Sequence, residues 1–168
     1  MLDFDGNGFF DNSVGKDLTF WFGAIPGDIP VVGDWNGDGK GKAGVYRSAG
    51  LWVLDSNGNG LFDGTGPGQD RVLSFGGIAR DVPVVGDWRG DGLANVGVYR
   101  WDHFWILDIN GHGNFGGPHG SSIRVFRFGT VDGDVPVCGD WNGDGITKVG
   151  VFRKGRWILD VEGTQIDH

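Results

Sequence analysis

The residues in this chain best suited to chemistry are carboxylates set in tight turns rich in Gly and Asn. Gly33-Asp34-Trp35-Asn36-Gly37-Asp38-Gly39 is one such run, and Asp55-Ser56-Asn57-Gly58-Asn59-Gly60 leads to Asp63 in another. Short oxygen-bearing side chains at alternate positions either close a turn by accepting backbone N–H groups or ligate a hard cation. The four histidines, His103, His112, His119 and His168, have no metal-ligand spacing and no Cys or Glu beside them, so they read as exposed loop residues. There is no nucleophile elbow, no phosphate-cradling loop before a helix and no pair of acids in unique sequence. No enzyme is expected, unless as an accessory module attached to a hydrolase in a longer parent.

The turns belong to a repeat. Gly-Asp-Trp begins at Gly33, Gly86 and Gly139, an interval of 53 residues both times, and the interval recurs at Pro30, Pro83 and Pro136 and at Arg47, Arg100 and Arg153. Phe22-Gly23, Phe75-Gly76 and Phe128-Gly129 keep it as well. A second phrase, Trp52-Val53-Leu54-Asp55, returns as Trp105-Ile106-Leu107-Asp108 and Trp157-Ile158-Leu159-Asp160, and Leu2-Asp3 is its truncated copy. Self-similarity at such a period implies stacked supersecondary units, none stable alone. The units run over 24–76, 77–129 and 130–168, the last completed by 1–23.

Each unit carries four short segments of strand character, in the first copy residues 29–35, 43–47, 51–55 and 71–75. Four strands per unit is one blade of a β-propeller. The Pro in the first segment suits an edge strand, and its Val-Val run suits packing on both faces. The Trp residues of both phrases are expected in the core between units. Trp21 and Trp101 have no copies and are free for other work, with Trp101-Asp102-His103-Phe104 reading as an insertion between strands.

Composition narrows the field. The 35 Gly and 13% aromatic content suit short strands and tight turns, not helices. Of 22 acidic residues only Glu162 is Glu; the rest are turn-forming Asp. A net charge of −8 argues against nucleic acid or an anionic membrane as partner. The one cysteine, Cys138, replaces Val32 and Val85 of the other units and is expected to pack as an apolar group. No apolar run is long enough to span a bilayer, and no signal peptide is evident.

These features together resemble the FG-GAP, or VCBS-type, repeats of integrin-like β-propellers. Phe22-Gly23-Ala24-Ile25-Pro26 is close to the phrase that names that family, and an Asp-x-Asn-Gly-Asp-Gly turn follows a strand as the family requires. The resemblance implies an extracellular or cell-surface propeller used in adhesion, carbohydrate recognition or protein contact. It also implies calcium loops with oxygen ligands at positions one, three, five, seven and nine. In the series after Trp-x-Leu-Asp, two loops supply every position: Asp3, Asp5, Asn7, the Phe9 carbonyl and Asp11; then Asp55, Asn57, Asn59, the Leu61 carbonyl and Asp63. Ordinary Asn-Gly turn chemistry is the alternative for both. The third copy has Asp108, Asn110 and His112 but ends in Gly116. In the series after Gly-Asp-Trp, position nine is Lys42, Asn95 or Lys148, and Arg89 enters the middle loop. There a Lys ammonium reaching Asp34 and Asp38 would close the turn in place of an ion. Arg89-Gly90-Asp91 spells an integrin-recognised tripeptide but arises from one substitution in a repeated turn.

Two non-enzymatic roles remain. A lectin-like module would use Trp101, Asp102 and His103. A structural assembly unit would use the chain's ends: the last unit has three strands, and residues 18–22 form an orphan fourth. Pairing of 18–22 of one chain beside 156–160 of another would give a closed homodimer of six blades, within the ~4–8 that propellers use.

Overall fold

The computed structural model describes residues 2–3, 6–11, 17–113 and 122–164. Within them the chain is all-β. The first sheet is an antiparallel meander of β3 (Ile29–Gly33), β4 (Lys42–Arg47), β5 (Leu51–Leu54) and β6 (Arg71–Ser74). The second repeats it with β7 (Val82–Gly86), β8 (Asn95–Tyr99), β9 (Phe104–Asp108) and β10 (Ile123–Arg127). The third has β11 (Val135–Gly139), β12 (Lys148–Arg153) and β13 (Arg156–Leu159). At the amino end β1 (Leu2–Asp3) pairs with β2 (Asp17–Leu18), Leu2 opposite Leu18. This is the register of Leu54 opposite Arg71, so the pair is the outer half of a further unit.

The first strand stops at Gly33 rather than Trp35 because the Trp35 ring folds back over it. Its indole N–H donates to the Ala43 carbonyl at 3.0 Å, and a Cβ on Gly33 would lie 2.6 Å from the ring. Only glycine allows that approach, and Gly86 stands in the same relation to Trp88.

The sheets stack through one interface used twice. Trp35, Trp52, Leu54 and Phe75 of the first sheet meet Ala94, Val96 and Val98 of the second. Trp88, Trp105 and Leu107 of the second meet Val149 and Val151 of the third. Backbone bonds cross each junction, from the Ala94 N–H to the Asp34 carbonyl at 2.8 Å and from the Thr147 N–H to the Asp87 carbonyl at 2.7 Å. Trp52 and Trp105 are wholly buried, and each indole N–H donates across its own sheet to the carbonyl of Phe75 or Phe128 at 3.0 Å. Cys138 packs at the second junction, where burial pushes its thiol up to about 12.

Three expectations need correction. Trp157 is 58% exposed, because no described strand lies beside β13 to cover it. Val32 is 64% exposed while its copies Val85 and Cys138 pack against the preceding sheet, so the Val-Val run is covered on both faces only where a sheet precedes it. Residues 101–103 are not an insertion: Arg47 pairs with Leu51 across three residues just as Arg100 faces Phe104, and it is the third copy, with Arg153 opposite Arg156, that is one residue shorter.

Replacing Trp52 or Trp105 with Ala is expected to cost about 3–5 kcal/mol, as for other large buried aromatics. Trp101→Ala, at a position 62% exposed, is expected to cost under about 1 kcal/mol. Urea unfolding of the three variants checks the difference.

Candidate functional site

Antiparallel pairing sorts the connections to two ends of the stack. The links from first to second strand and from third to fourth, which hold the acidic turns, share one end. The turns from second to third strand and the passages between sheets share the other.

At the acidic end each leading Asp gathers backbone donors. Asp34 accepts N–H groups from Gly37, Asp38 and Gly39 at 2.9, 3.2 and 2.6 Å. Asp55 accepts those of Gly58, Asn59 and Gly60 at 2.9, 3.1 and 2.8 Å. Asp87 and Asp140 do the same. This wrapped turn turns side-chain and carbonyl oxygens toward one point. In the first and third loops of the Gly-Asp-Trp series an ammonium occupies that point. Lys42 Nζ lies 3.1 Å from Asp34, 2.5 Å from Asp38 and 2.9 Å from the Lys40 carbonyl. Lys148 Nζ lies 2.7 Å from Asn142, 2.5 Å from Asp144 and 3.0 Å from the Ile146 carbonyl. The Lys bridge expected at Asp34 and Asp38 is formed, and its copy joins Lys148 to Asp140 and Asp144. In the middle loop Arg89 lies 3.4 Å from Asp91.

The Asp55 loop has the same wrapping but, among the described residues, no basic partner. Asn57 and Asn59 donate their side-chain amides to Asp63 at 3.0 and 2.9 Å. Asp70, buried alongside, accepts the N–H groups of Ser56 and Asp63 at 3.1 and 3.2 Å. Burial raises the Asp70 carboxyl, and the charges of Asp55 and Asp63 add to the rise. Leu61 is exposed, its N–H donating to Asn59 at 2.8 Å. Among the described residues no three His, Cys, Asp or Glu side chains form a ready metal cluster. In the companion loop the Asp3 side chain and Asp5 lie outside the described residues, while Asn7 accepts the Phe9 N–H at 2.7 Å and Asp11 donates its N–H to Asp17. In the third copy Gly116 lies outside them, and Arg71 of the first sheet donates to the Gly111 carbonyl at 2.7 Å.

The opposite end is built on a second repeated device. Asp28, Asp81 and Asp134 bind Arg47, Arg100 and Arg153 at 2.7, 3.0 and 2.6 Å while accepting backbone N–H groups from their own turns. The same 53-residue interval in these Asp residues was the available signal. Between the second and third sheets lies a cleft of about 330 Å³ lined by Arg80, Tyr99, Trp101, His103, Asp132 and Asp134. Tyr99 Oη and His103 Nδ1 are 3.0 Å apart, and His103 Nε2 is 3.7 Å from Asp132. His103 is thus a half-buried cleft residue, not a free loop side chain; His119 and His168 lie outside the described residues. Burial and the Asp134 charge push the Tyr99 phenol up to about 12. Asp102, grouped with Trp101 and His103 by sequence, does not line the cleft, and its Oδ1 is buried without a hydrogen-bond partner.

The cleft is made of departures from the repeat. At the corresponding places of the preceding unit stand Gly27, Ser48, Gly50 and Ala79 instead of Arg80, Trp101, His103 and Asp132. Gly27 and Gly50 have φ of 92° and 80°; Arg80 and His103 hold the same left-handed region at 72° and 69°. A side chain there is strained, and such strain gathers at functional sites. Sequence reasoning missed Arg80 and Asp132, although comparing the copies position by position would have found them.

No helix among the described residues is long and apolar enough to cross a membrane. No family profile, no curated protein and no solved structure matches the chain.

The Arg47, Lys42, Arg153 and Lys148 partners hold Asp28, Asp38, Asp134 and Asp144 below the usual carboxylate range, Asp144 down to about 2. Carboxyls that ionise more readily folded than unfolded stabilise the fold fully above about pH 4, and that contribution disappears as pH falls toward about 2. Melting temperature is therefore expected to drop across this window, and Lys148→Met to flatten the drop while lowering the neutral-pH value.

Proposed function

We propose that the chain is a non-enzymatic binding module, its sheets serving as blades of an extracellular β-propeller of the FG-GAP or VCBS type, with carbohydrate as ligand at the Trp101 cleft. The observation that carries this reading is the pair of left-handed side chains, Arg80 and His103, placed where the repeat has Gly and both turned to one cleft. Their cost buys no repeated contact, so it is assigned to ligand. An exposed indole offers an apolar face to the C–H face of a sugar ring. The Arg80 guanidinium, the His103 imidazole and the Asp132 carboxylate supply donors and acceptors for hydroxyls around it. Groups of both kinds around a modest concavity are what small-ligand sites need.

Arg80→Gly is expected to raise stability by about 1 kcal/mol, by relieving the left-handed strain, while abolishing binding. Glycan-array signals lost in both Trp101→Ala and Arg80→Gly support the site; signals that survive both, or a wild-type chain silent on the array, reject it.

Calcium belongs to the same reading. The Asp34 and Asp55 loops share one wrapping, the first encloses an ammonium, and the second carries Asp55, Asp63 and the neighbouring Asp70 with no basic partner among the described residues. A divalent cation held by Asp55, Asn57, Asn59, the Leu61 carbonyl and Asp63 would supply the missing charge. Binding to the folded form alone raises stability by mass action. Millimolar calcium is expected to raise the melting temperature and chelator to lower it, and Asp63→Ala to remove that response; melting indifferent to both additions would refute the assignment.

A further inference from the structure

Among the described residues both halves of the sheet-to-sheet interface stand uncovered, one on the first sheet and one on the third. At a complete junction a sheet gives its two Trp rings and the next sheet gives its first strand and the start of its second. The giving half of the third sheet is uncovered among the described residues: Trp157 is 58% exposed, although Trp52 and Trp105 are wholly buried. A Cβ on Gly33 or Gly86 would strike the next sheet at Ala94 or Thr147, whereas the three atoms nearest to one on Gly139 all belong to Trp141 of its own sheet. Among the described residues the receiving half of the first sheet is uncovered as well. Val32 is 64% exposed there, in an apolar groove of about 310 Å³ lined also by Phe20, Phe22, Ala43 and Val45. Gly41, which corresponds to Ala94 and Thr147, lies in the same groove.

Residues 18–22 already stand where the fourth strand of a preceding sheet would stand. A Cβ on Gly60 would meet the Phe20 ring as one on Gly113 would meet Leu73, and Phe20 and Leu73 are 53 residues apart, as are Gly60 and Gly113. Among the described residues β13 has β12 on one edge and nothing on the other. The Trp52 and Trp105 N–H groups end on Phe75 and Phe128; the matching carbonyl for Trp157 is that of Phe22.

We infer that the third sheet of one chain seats before the first sheet of a second copy, and reciprocally, so that two chains close head to tail. The occupant is a second copy because each chain carries both complementary faces, and a head-to-tail contact closes when its rotation permits. The observed pairings Trp52↔Leu73 and Trp105↔Phe126 set the register. Trp157 faces the partner's Phe20, Ile158 faces the partner's Thr19 and Leu159 faces the partner's Leu18. Leu159 takes the place that Leu2 holds against Leu18, so β1, a ladder of two residue pairs, gives way to the longer β13. The Trp157 indole donates to the carbonyl of the partner's Phe22. The inference stands on the repeated interface and is independent of any ligand at the Trp101 cleft.

The test uses the 168-residue chain with Cys138→Val, the residue type of the other two copies, and adds Thr19→Cys or Ile158→Cys to separate preparations. Mixed, the two preparations are expected to form a covalent pair with a short bismaleimide linker, and neither is expected to do so alone. Light scattering of the unaltered chain at micromolar concentration is expected to give twice the chain mass, and a chain lacking residues 1–5 to give the same state. A monomer by scattering, a growing series of open polymers, or a link that forms only within a doubly substituted chain at monomer mass would each overturn the second-copy assignment. Loss of sugar binding with the dimer intact would reject the ligand reading alone.

Discussion

The buried indoles of Trp52 and Trp105 find acceptors for their N–H groups on the fourth strand, and the four-strand unit is built around those two bonds, whereas the Trp88 N–H is buried without a hydrogen-bond partner among the described residues. Trp52 and Trp105 sit between sheets with no water to bond, and only the carbonyl at the end of the fourth strand reaches them. A unit is therefore satisfied when all four strands are present and the next sheet covers the ring. Among the described residues the third unit has neither, and Trp157, the residue type that anchors the other two, lies open to solvent.

The acidic turns show one backbone device filled in two ways. A carboxylate that gathers three successive N–H groups forces the following oxygens to converge, and converging oxygens call for positive charge. Lys42 and Lys148 carry that charge on a side chain. Around Asp55 and Asp63, where no such side chain stands among the described residues, burial and the neighbouring carboxylate charges raise the Asp70 carboxyl. The two loop series touch: the Lys42 and Lys148 stems lie against Gly58 and Gly163 of the second series. Filling one series thus supports the other.

Repetition and its breakdown divide the molecule by purpose. Asp28–Arg47 and its two copies, the Trp phrases and the wrapped turns recur because each stack junction has the same requirements. Arg80, Trp101, His103 and Asp132 do not recur, and two of them hold backbone conformations that the repeat assigns to Gly. The contacts His103 makes there, with Tyr99 and Asp132, are themselves outside the repeat. The proposed ligand site is accordingly found by subtracting one copy from another.

The amino-acid sequence by itself determined the local parts: the 53-residue period, the four strands of a unit, the turn chemistry and the Lys at position nine that reaches Asp38 in its own loop. These are legible because strand alternation, Gly turns and contacts within about ten residues depend on neighbours along the chain. Tertiary structure alone decided which copy of a repeated residue is buried. Trp52 and Trp157 read alike, as do Val32 and Val85, and they differ only in whether a sheet stands beside them. It also decided that Arg80, Trp101 and Asp132, from three separate connections, share one cleft, while Asp102, next to Trp101 in the chain, turns away. Burial and convergence belong to the packing of distant segments, and no spacing within a unit encodes them.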